Sequence, residues 1–413
     1  MASLLHQGAN FDGSEIVLID LDLERLELVK TLSDKLVAHY GLDISISTTT
    51  DRKSGLQNCD AVLSSYRPGG FEARYLDESI PLKHGVIGQE TQGPGGFFMA
   101  LRSINVMQGI VADVETVCPD AWIFNYTNPV NIVAQAVTRH TSTKLVALCE
   151  GPIVFPRAIA RAAGLDPDKV DAVMVGLNHA CWSTRHLYDG QDMIPLVEHA
   201  LTEQEANPTA NAHELRLLRL TALMGHLPAE YFQYYYFKDE ILAELQAKPT
   251  TRSQDILAQV PDYWRHYREE ATKDIPTLNP DRSRGGIHEL ELAIDATDAI
   301  FNDRCEVLPV NVPNQGALPG FDSDIVVEIQ GHLDRRGITP LVSAPLPSQV
   351  RGLVQELAEY QSLAADAAWN GTRKDAIRAL VSNPLVQTYD KAERIFDELA
   401  SAHRAHLPER LLA

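Results

Sequence analysis

Short apolar runs alternate with helical patterns along the first 180 residues, and this alternation constrains the fold more than any other feature. Residues 15–21 read as a buried strand, residues 23–32 place Leu and Val on one helical face, and residues 43–48 and 61–65 read as further strands. Strand–helix–strand alternation is typical of a parallel sheet covered by helices. The sequence therefore predicts an α/β fold whose first domain, residues 1–180, is a Rossmann-like, doubly wound sheet.

The start of this pattern departs from a complete dinucleotide-binding domain, which begins with a strand and a Gly-x-Gly-x-x-Gly turn for the pyrophosphate. Residues 1–14 contain only Gly8 and Gly13, and no apolar strand precedes them. We therefore expect the first strand and its Gly-rich turn to be missing, through truncation or loss of the turn. Asp20 ends the 15–21 strand, where an acid accepts hydrogen bonds from the adenosine ribose.

From residue 181 onward, longer helical patterns predominate. Residues 306–312 and 324–330 read as strands, and residues 348–413 read as helices. We expect residues 181–413 to form a mostly helical α+β domain that has a smaller mixed sheet and C-terminal helices. This domain is expected to supply substrate, metal and oligomer contacts.

The composition excludes several classes of partner. A formal charge of −20 argues against nucleic acid and anionic membranes. No uninterrupted apolar run reaches the ~18 residues of a membrane span, and no signal peptide is visible. The cysteines are odd in number and scattered, which favours reduced thiols in the cytoplasm over a disulfide framework.

Two apolar runs end abruptly in polar groups, one at Cys149 and the other at Asn178 and His179. A thiolate and an imidazole at strand ends could hold a divalent metal and leave positions open for substrate. A buried cysteine beside a hydrogen-bonded histidine is the alternative interpretation.

Residues 67–98 form a block rich in Gly and polar side chains after a strand, as expected of a loop near a ligand or of a solvated surface loop. Arg67 and Arg74 are candidates for binding a phosphate or another compact anion. Asn128, at the end of a later strand, could hydrogen-bond a sugar hydroxyl or simply form a turn.

Four tyrosines lie within residues 231–236, which most simply predicts an aromatic helix packed on a core. A tyrosine near a metal and a cation can instead have a lowered pKa and act as a base.

Short motifs throughout the chain resemble glycoside hydrolase family 4 in their order and approximate spacing. The resemblance covers nearly all of the chain. The motifs are Arg67–Gly70, Ile80–Lys83, Gly88–Phe97, Asn125–Pro129, Cys149–Pro152, Gly176–His179 and Tyr231–Tyr235.

The resemblance implies a glycosidase that depends on NAD and Mn²⁺, a family set apart from the usual mechanism with two carboxylates. In that family's mechanism, NAD⁺ oxidises the C3 hydroxyl of the sugar, and a tyrosine removes the C2 proton while the metal stabilises the resulting enolate. The aglycone is then eliminated from C1, water adds, and the hydride returns to C3. The implied roles are Cys149 and His179 as metal ligands, Tyr231 as base, Arg74, Asn128, Glu90 and Asn178 for substrate, and Asp20 and Arg67 for cofactor.

Glu150 follows the metal cysteine, where β-specific phosphoglucosidases of the family have Asn and α-specific ones often have Asp. It is expected to be a general acid with a raised pKa or a partner of the metal site. The anomer, the sugar epimer and the aglycone therefore stay open.

The expected function is hydrolysis of a glycoside with an anionic C6 group, in first place a 6-phospho-glucoside, by a cytoplasmic homodimer or homotetramer. A 6-sulfo sugar, an α-galactoside or a uronide is the alternative substrate. Two further hypotheses are a dehydrogenase of the lactate or malate type and a non-catalytic or cofactor-impaired homologue that senses a sugar or nucleotide.

Overall fold

The computed structural model describes residues 4, 7–279, 282 and 291–412. The segment 1–6 is thus outside the described residues apart from Leu4. The strands are β1 Ser14–Ile19, β2 Ile44–Thr49, β3 Ala61–Ser64, β4 Trp122–Asn125, β5 Leu145–Ala147, β6 Val170–Leu177, β7 Ala180–Tyr188, β8 Gln191–Asp192, β9 Glu306–Pro313, β10 Val326–Asp334 and β11 Gly337–Pro340.

Helices cover the strands and make up most of the second half. They are α1 Leu23–Tyr40, α2 Arg52–Gly55, α3 Gly70–Lys83, α4 Gly93–Val117, α5 Val130–His140, α6 Gly151–Ala162, α7 Ile194–Glu205, α8 Ala212–Met224, α9 Gln233–Tyr236, α10 Lys238–Ala247, α11 Arg252–Ala271, α12 Glu291–Phe301, α13 Ser348–Trp369, α14 Arg373–Val381 and α15 Tyr389–Ala402.

The strands form two sheets. Strands β1 and β2 pair in parallel with each other, whereas the larger, nine-stranded sheet has the order β3-β4-β5-β9-β10-β6-β7-β8, with β11 paired to β10. Among the described residues, no strand pairs with β3 on the side away from β4. The α/β class, the Rossmann-like part, the second sheet region and the C-terminal helices are confirmed; the domain division at residue 180 stays a prediction.

The antiparallel strands of the second half are hydrogen-bonded directly to the parallel strands of the first. Strands β9 and β10 lie between β5 and β6, so one row across the sheet aligns Ala147, Asn311, Glu328 and Gly176. Chain segments that are far apart in sequence therefore meet at the ends of β5 and β6.

The glycine-rich block of residues 67–98 is only partly a loop, because Gly70–Lys83 form α3 and its last residues, from Gly93 onward, begin α4. A Cβ at Gly95 would lie 2.4 Å from the carbonyl oxygen of Gln89, and one at Gly96 would lie 2.3 Å from the carbonyl carbon of Thr91. These glycines are therefore needed for close backbone packing of the helix start on residues 89–91.

Helix α4 is long and apolar enough to cross a membrane by length and composition, but 67% of its apolar window is buried inside the protein. It also carries Arg102, which is fully buried and pairs with Asp77 of α3 at 2.5 Å. The composition of α4 thus suits a core helix packed among other helices, chiefly α3, α5 and α13.

A separate, smaller core belongs to β1, α1 and β2. Its buried members are Leu36, Ile44 and Ile46, which do not belong to the main core cluster. Helix α11 holds this unit in place through Trp264, whose ring is 4.8 Å from the Arg25 guanidinium, and through the Ala271 carbonyl, which accepts a hydrogen bond from Lys35.

Candidate active site

The ends of β5 and β6 bring Cys149 and His179 together. The Cys149 Sγ lies 3.7 Å from the His179 Nε2. Asn178 and His179 form the two-residue connection between β6 and β7, and His179 has a φ of +62°. This left-handed conformation is unfavourable for a residue with a Cβ, and such outliers cluster at ligand-binding sites.

A chain of hydrogen bonds fixes which nitrogen of His179 can face a ligand. The Nδ1 lies 3.1 Å from Thr91 Oγ1, and that oxygen lies 3.1 Å from Gln89 Oε1, which accepts its proton. Nδ1 therefore carries the imidazole proton and donates it to Thr91, leaving the Nε2 lone pair directed at Cys149.

The pKa values of Cys149 and His179 are those of two neutral groups that could bind a cation. Burial raises the pKa of Cys149 to about 12 and lowers that of His179 to about 3. The described residues contain no group of three or more His, Cys, Asp and Glu side chains placed to hold a metal. A divalent ion on Cys149 and His179 would thus take its other ligands from substrate, cofactor or water. A thiolate and an imidazole are suitable ligands for a metal ion that keeps such open positions.

Tyr231 lies directly on His179, the candidate metal ligand. It belongs to a short 3₁₀ segment, Glu230–Phe232, and its ring stacks on that of His179 with centroids 3.8 Å apart and planes 7° apart. Burial, followed by the charge of Cys149, raises its pKa above the ordinary value, while Arg74 lowers it. In the protein alone, therefore, Tyr231 does not have the lowered pKa expected of a base, and the necessary charge has to come from a bound cation.

The tyrosine cluster is only partly the aromatic helix that its composition predicts. The Trp182 ring packs against Phe232 with centroids 4.6 Å apart, and the hydroxyl of Tyr235 donates to Gln92 at 2.7 Å. These contacts hold the segment against the main core while Tyr231 faces the site.

The two arginines share one carboxylate. Arg67 pairs with Oε1 of Glu90, and Arg74 pairs with Oε2 of Glu90 at 2.6 Å and with Glu78 at 2.7 Å. The side chain of Arg74 is only 7% exposed, whereas that of Arg67 is 26% exposed. When all four groups are ionised their charges balance, so an anionic ligand has to compete with Glu90 for the guanidinium groups.

A cavity of about 200 Å³ opens at the carboxyl ends of β3 and β4. Asn128 lies at this cavity and precedes Pro129 in a cis peptide, and its carbonyl oxygen accepts a hydrogen bond from Ser103. The residues lining the cavity are Ser65, Tyr66, Arg67, Met99, Tyr126 and Asn128. Ligands of open α/β sheets bind at such strand ends, so both Arg67 and Asn128 are placed to contact one.

Two further candidates lie at the margins of the site. Glu150 immediately precedes α6 and is half-buried, and burial, followed by the charge of Glu150, raises the pKa of Tyr126. Asp20 is exposed at the end of β1, in the two-stranded sheet, where its Oδ1 accepts hydrogen bonds from the backbone of Leu21 and Asp22. Asp20 is thus at a different sheet from Cys149 and His179.

The structure adds residues that the sequence analysis missed. Glu328 is 1% exposed, and its Oε1 accepts hydrogen bonds from the side-chain amides of Asn178 at 2.9 Å and Asn311 at 3.1 Å. Asn178 thus faces this carboxyl, although it was expected to bind substrate. A charged residue inside the apolar strand Val326–Asp334 was the available signal for Glu328, whereas nothing in the sequence marks Thr91 as the partner of His179.

Family comparisons cover both halves of the chain. Residues 1–165 match the model described as "Family 4 glycosyl hydrolase", and residues 174–386 match "Family 4 glycosyl hydrolase C-terminal domain".

Individual relatives match over most of their length. A "Probable 6-phospho-beta-glucosidase" of Bacillus subtilis is 36% identical over 96% of this chain and 91% of its own. A 6-phospho-beta-glucosidase of Escherichia coli is 32% identical over 96% and 90%, respectively. A 6-phospho-alpha-glucosidase from gut microorganisms, solved with NAD and Mn²⁺, superposes with a TM-score of 0.85 at 25% identity, covering 98% of this chain and 95% of its own.

Proposed function

The chain belongs to family 4 of the glycosyl hydrolases, and we propose that it hydrolyses a 6-phospho-glucoside by oxidation and elimination with NAD and Mn²⁺. One observation carries this proposal: Cys149, His179 and Tyr231 meet at the strand ends, with Sγ 3.7 Å from Nε2 and the two rings 3.8 Å apart. Removing a proton from a carbon next to a metal-polarised oxygen requires a base beside the metal. A phenol directly beside a metal-binding pair is this arrangement.

Cys149 and His179 would hold the metal, and Asp20 would bind the dinucleotide. Arg67, which lines the cavity at the strand ends, would contact either the dinucleotide or the C6 anion of the substrate. When bound, NAD would accept and return a hydride at C3, and Mn²⁺ would act as a Lewis acid on the sugar oxygens. The neutral imidazole of His179 is ready to bind a cation at physiological pH, because its pKa is about 3.

Tyr231 removes the C2 proton in this scheme. Its raised pKa means that the phenolate forms only when a nearby positive charge compensates for burial, and Arg74 already acts in that direction. Glu150, which immediately precedes α6, would protonate the leaving oxygen, and Asn128 and Glu90 would bind sugar hydroxyls.

Two arginines support an anionic group at C6. Arg67 and Arg74 converge on Glu90, and a phosphate that displaced this carboxylate would take over its two guanidinium partners. Phosphorylated sugars are also named for the relatives that match nearly the whole chain. A C6 sulfonate or carboxylate would use the same contacts, so these sugars are the comparison substrates.

We further propose that the protein acts in the cytoplasm as a homo-oligomer on a small-molecule glycoside. All five cysteines are free thiols, which agrees with a reducing compartment.

An NMR time course in D₂O tests the reaction. α- and β-linked aryl 6-phosphoglucosides would be incubated with NAD⁺ and Mn²⁺, each present or withheld. The expected result is deuterium at C2 of the released sugar only when both cofactors are present. Hydrolysis without exchange at C2 would overturn the role of Tyr231. Binding of sugar phosphate without turnover of either anomer would instead identify a non-catalytic binding protein.

A further inference from the structure

Glu328 occupies the centre of the sheet directly behind the candidate metal site. The cross-strand row places it beside Asn311 of β9 and Gly176 of β6, and Asn311 faces Ala147 of β5. Cys149 follows Ala147 by two residues, so this candidate ligand lies just beyond the row of paired residues that contains Glu328. A carboxyl that is 1% exposed at such a position needs a specific role or a full set of partners.

The contacts of Glu328 fix the orientation of Asn178. An asparagine amide can point its NH₂ or its oxygen toward a neighbour, and the two orientations have almost the same shape. Because Glu328 Oε1 accepts from Asn178 Nδ2 at 2.9 Å, the NH₂ group faces the carboxyl. The same oxygen also accepts from Asn311 Nδ2 at 3.1 Å, which holds the carboxyl in place.

Asn178 immediately precedes the candidate metal ligand His179 in the two-residue connection between β6 and β7. His179 has a left-handed backbone conformation with a φ of +62°, and its Nε2 lies 3.7 Å from the Cys149 Sγ. In so short a turn the backbone of His179 depends on how its neighbour is held. The hydrogen bond from Asn178 to Glu328 therefore helps to fix the turn that carries His179.

We propose that Glu328 is a positioning residue of the candidate metal site, which holds the Asn178 amide and so keeps the turn between β6 and β7 in the conformation that directs His179 Nε2 at Cys149. This inference rests on the proposed function insofar as Cys149 and His179 bind the metal. Partners of metal ligands typically contribute about 10- to 100-fold to metal affinity. Glu328 does not touch the reacting atoms, and its effect passes through Asn178.

The test compares variants by Co²⁺ titration of metal-free protein, following the absorption band of the Co²⁺–thiolate bond. We expect Glu328→Leu and Asn178→Ala each to weaken Co²⁺ binding at least tenfold. Glu328→Gln keeps an acceptor for the two amides, so we expect it to bind within about threefold of wild type. The double variant Glu328→Leu/Asn178→Ala should bind no more weakly than Asn178→Ala, because the two residues act in series.

Each outcome separates positioning from its alternatives. If Glu328→Gln weakens binding as much as Glu328→Leu, the carboxylate acts by its charge and the proposal is wrong. Additive losses in the double variant would also overturn it. If Glu328→Leu fails to fold, Asn178→Ala and Glu328→Gln still decide, since an unchanged Asn178→Ala contradicts the proposal.

Cys149→Ser is the control for the site itself. If this variant binds Co²⁺ as tightly as wild type, the metal assignment fails and with it the proposed function. If Cys149→Ser loses binding while the Asn178 and Glu328 variants keep it, only the positioning role is wrong.

Discussion

The imidazole of His179 and the phenol of Tyr231 lie face to face, with centroids 3.8 Å apart and planes only 7° apart. His179 is itself held by Thr91 and by the left-handed turn between β6 and β7. The candidate base is therefore positioned by a candidate metal ligand, and the ring contact can be separated experimentally from the hydroxyl group.

Tyr231→Phe should remove the chemistry and keep the stacking. We expect deuterium exchange at C2 to fall at least about 100-fold, since general bases contribute factors of this size. Metal affinity should stay within about threefold of wild type, because the ring is retained. Both are measured by NMR in D₂O and by metal titration. Exchange that survives in Tyr231→Phe would show that another group takes the proton.

Metal binding should release one proton. At pH 6–8 the Cys149 thiol is protonated, since its pKa is about 12, and His179 is already neutral, since its pKa is about 3. Only the thiol therefore loses a proton to the metal, and the Kd for Mn²⁺ should fall about tenfold per unit rise in pH.

Calorimetry in buffers of different ionisation enthalpy counts this proton directly. Any metal ion that Cys149→Ser still binds should release no proton. If Glu328→Gln releases a different number of protons from wild type, the difference belongs to the neighbouring carboxyl. Metal binding by the wild type without proton release would contradict thiolate ligation.

Arg74 and Arg67 should respond differently to substitution, although both pair with Glu90. Arg74→Met leaves Glu78 and Glu90 as buried carboxylates without this partner, so we expect a loss of about 3–5 kcal/mol in the free energy of unfolding. Arg67→Gln, at a more exposed position, should cost less than about 1 kcal/mol.

Arg67→Gln is thus the variant for testing the anion. Its KM for an aryl 6-phosphoglucoside should rise about tenfold or more, without the same change for an unphosphorylated glucoside. Urea unfolding and steady-state kinetics provide the two measurements. An equal change in KM for both substrates would exclude a specific contact with the C6 group.

Glu328 should give the metal-free protein a pH-dependent stability. Burial raises its pKa from 4.5 to about 7, although hydrogen bonds from Asn178 and Asn311 oppose this. A raised folded pKa gives stability that is fully present below pH 4.5 and is lost as the pH rises through 7. Relative to Glu328→Gln, the wild type should therefore lose up to about 3 kcal/mol across this range. The measurement is the free energy of unfolding of both proteins against pH in EDTA. If the two curves run parallel, the pKa of Glu328 is not shifted.

The sequence predicted the strand ends well because polar residues that interrupt apolar runs are a local signal. Cys149 and His179 were identified in this way, and the structure places them 3.7 Å apart. The glycine-rich residues 67–98 predict a loop because glycine usually marks turns, yet Gly70–Lys83 form α3 and residues from Gly93 onward form α4. Gly95 and Gly96 lie in the first turn of α4, where close backbone contacts leave no room for a Cβ. Those contacts are tertiary and leave no periodic pattern in the sequence.

The role of Glu328 could not be predicted for a similar reason. Its partner Asn178 is 150 positions away in the chain, and the two meet only because β9 and β10 lie between β5 and β6. Strand order of this kind depends on long-range pairing, whereas sequence patterns describe each strand alone. The charged residue in an apolar strand indicated a partner without identifying it.

The separate core of β1, α1 and β2 divides the proposed ligand contacts between two parts of the fold. Asp20, proposed for the cofactor, follows β1 of this small unit, whereas Arg67, Asn128 and the candidate metal ligands follow strands of the large sheet. A dinucleotide that contacts both parts would link two folding units whose cores differ greatly in size. Cofactor occupancy would then appear first as slower amide hydrogen exchange in β1 and β2, at a different sheet from the candidate metal ligands.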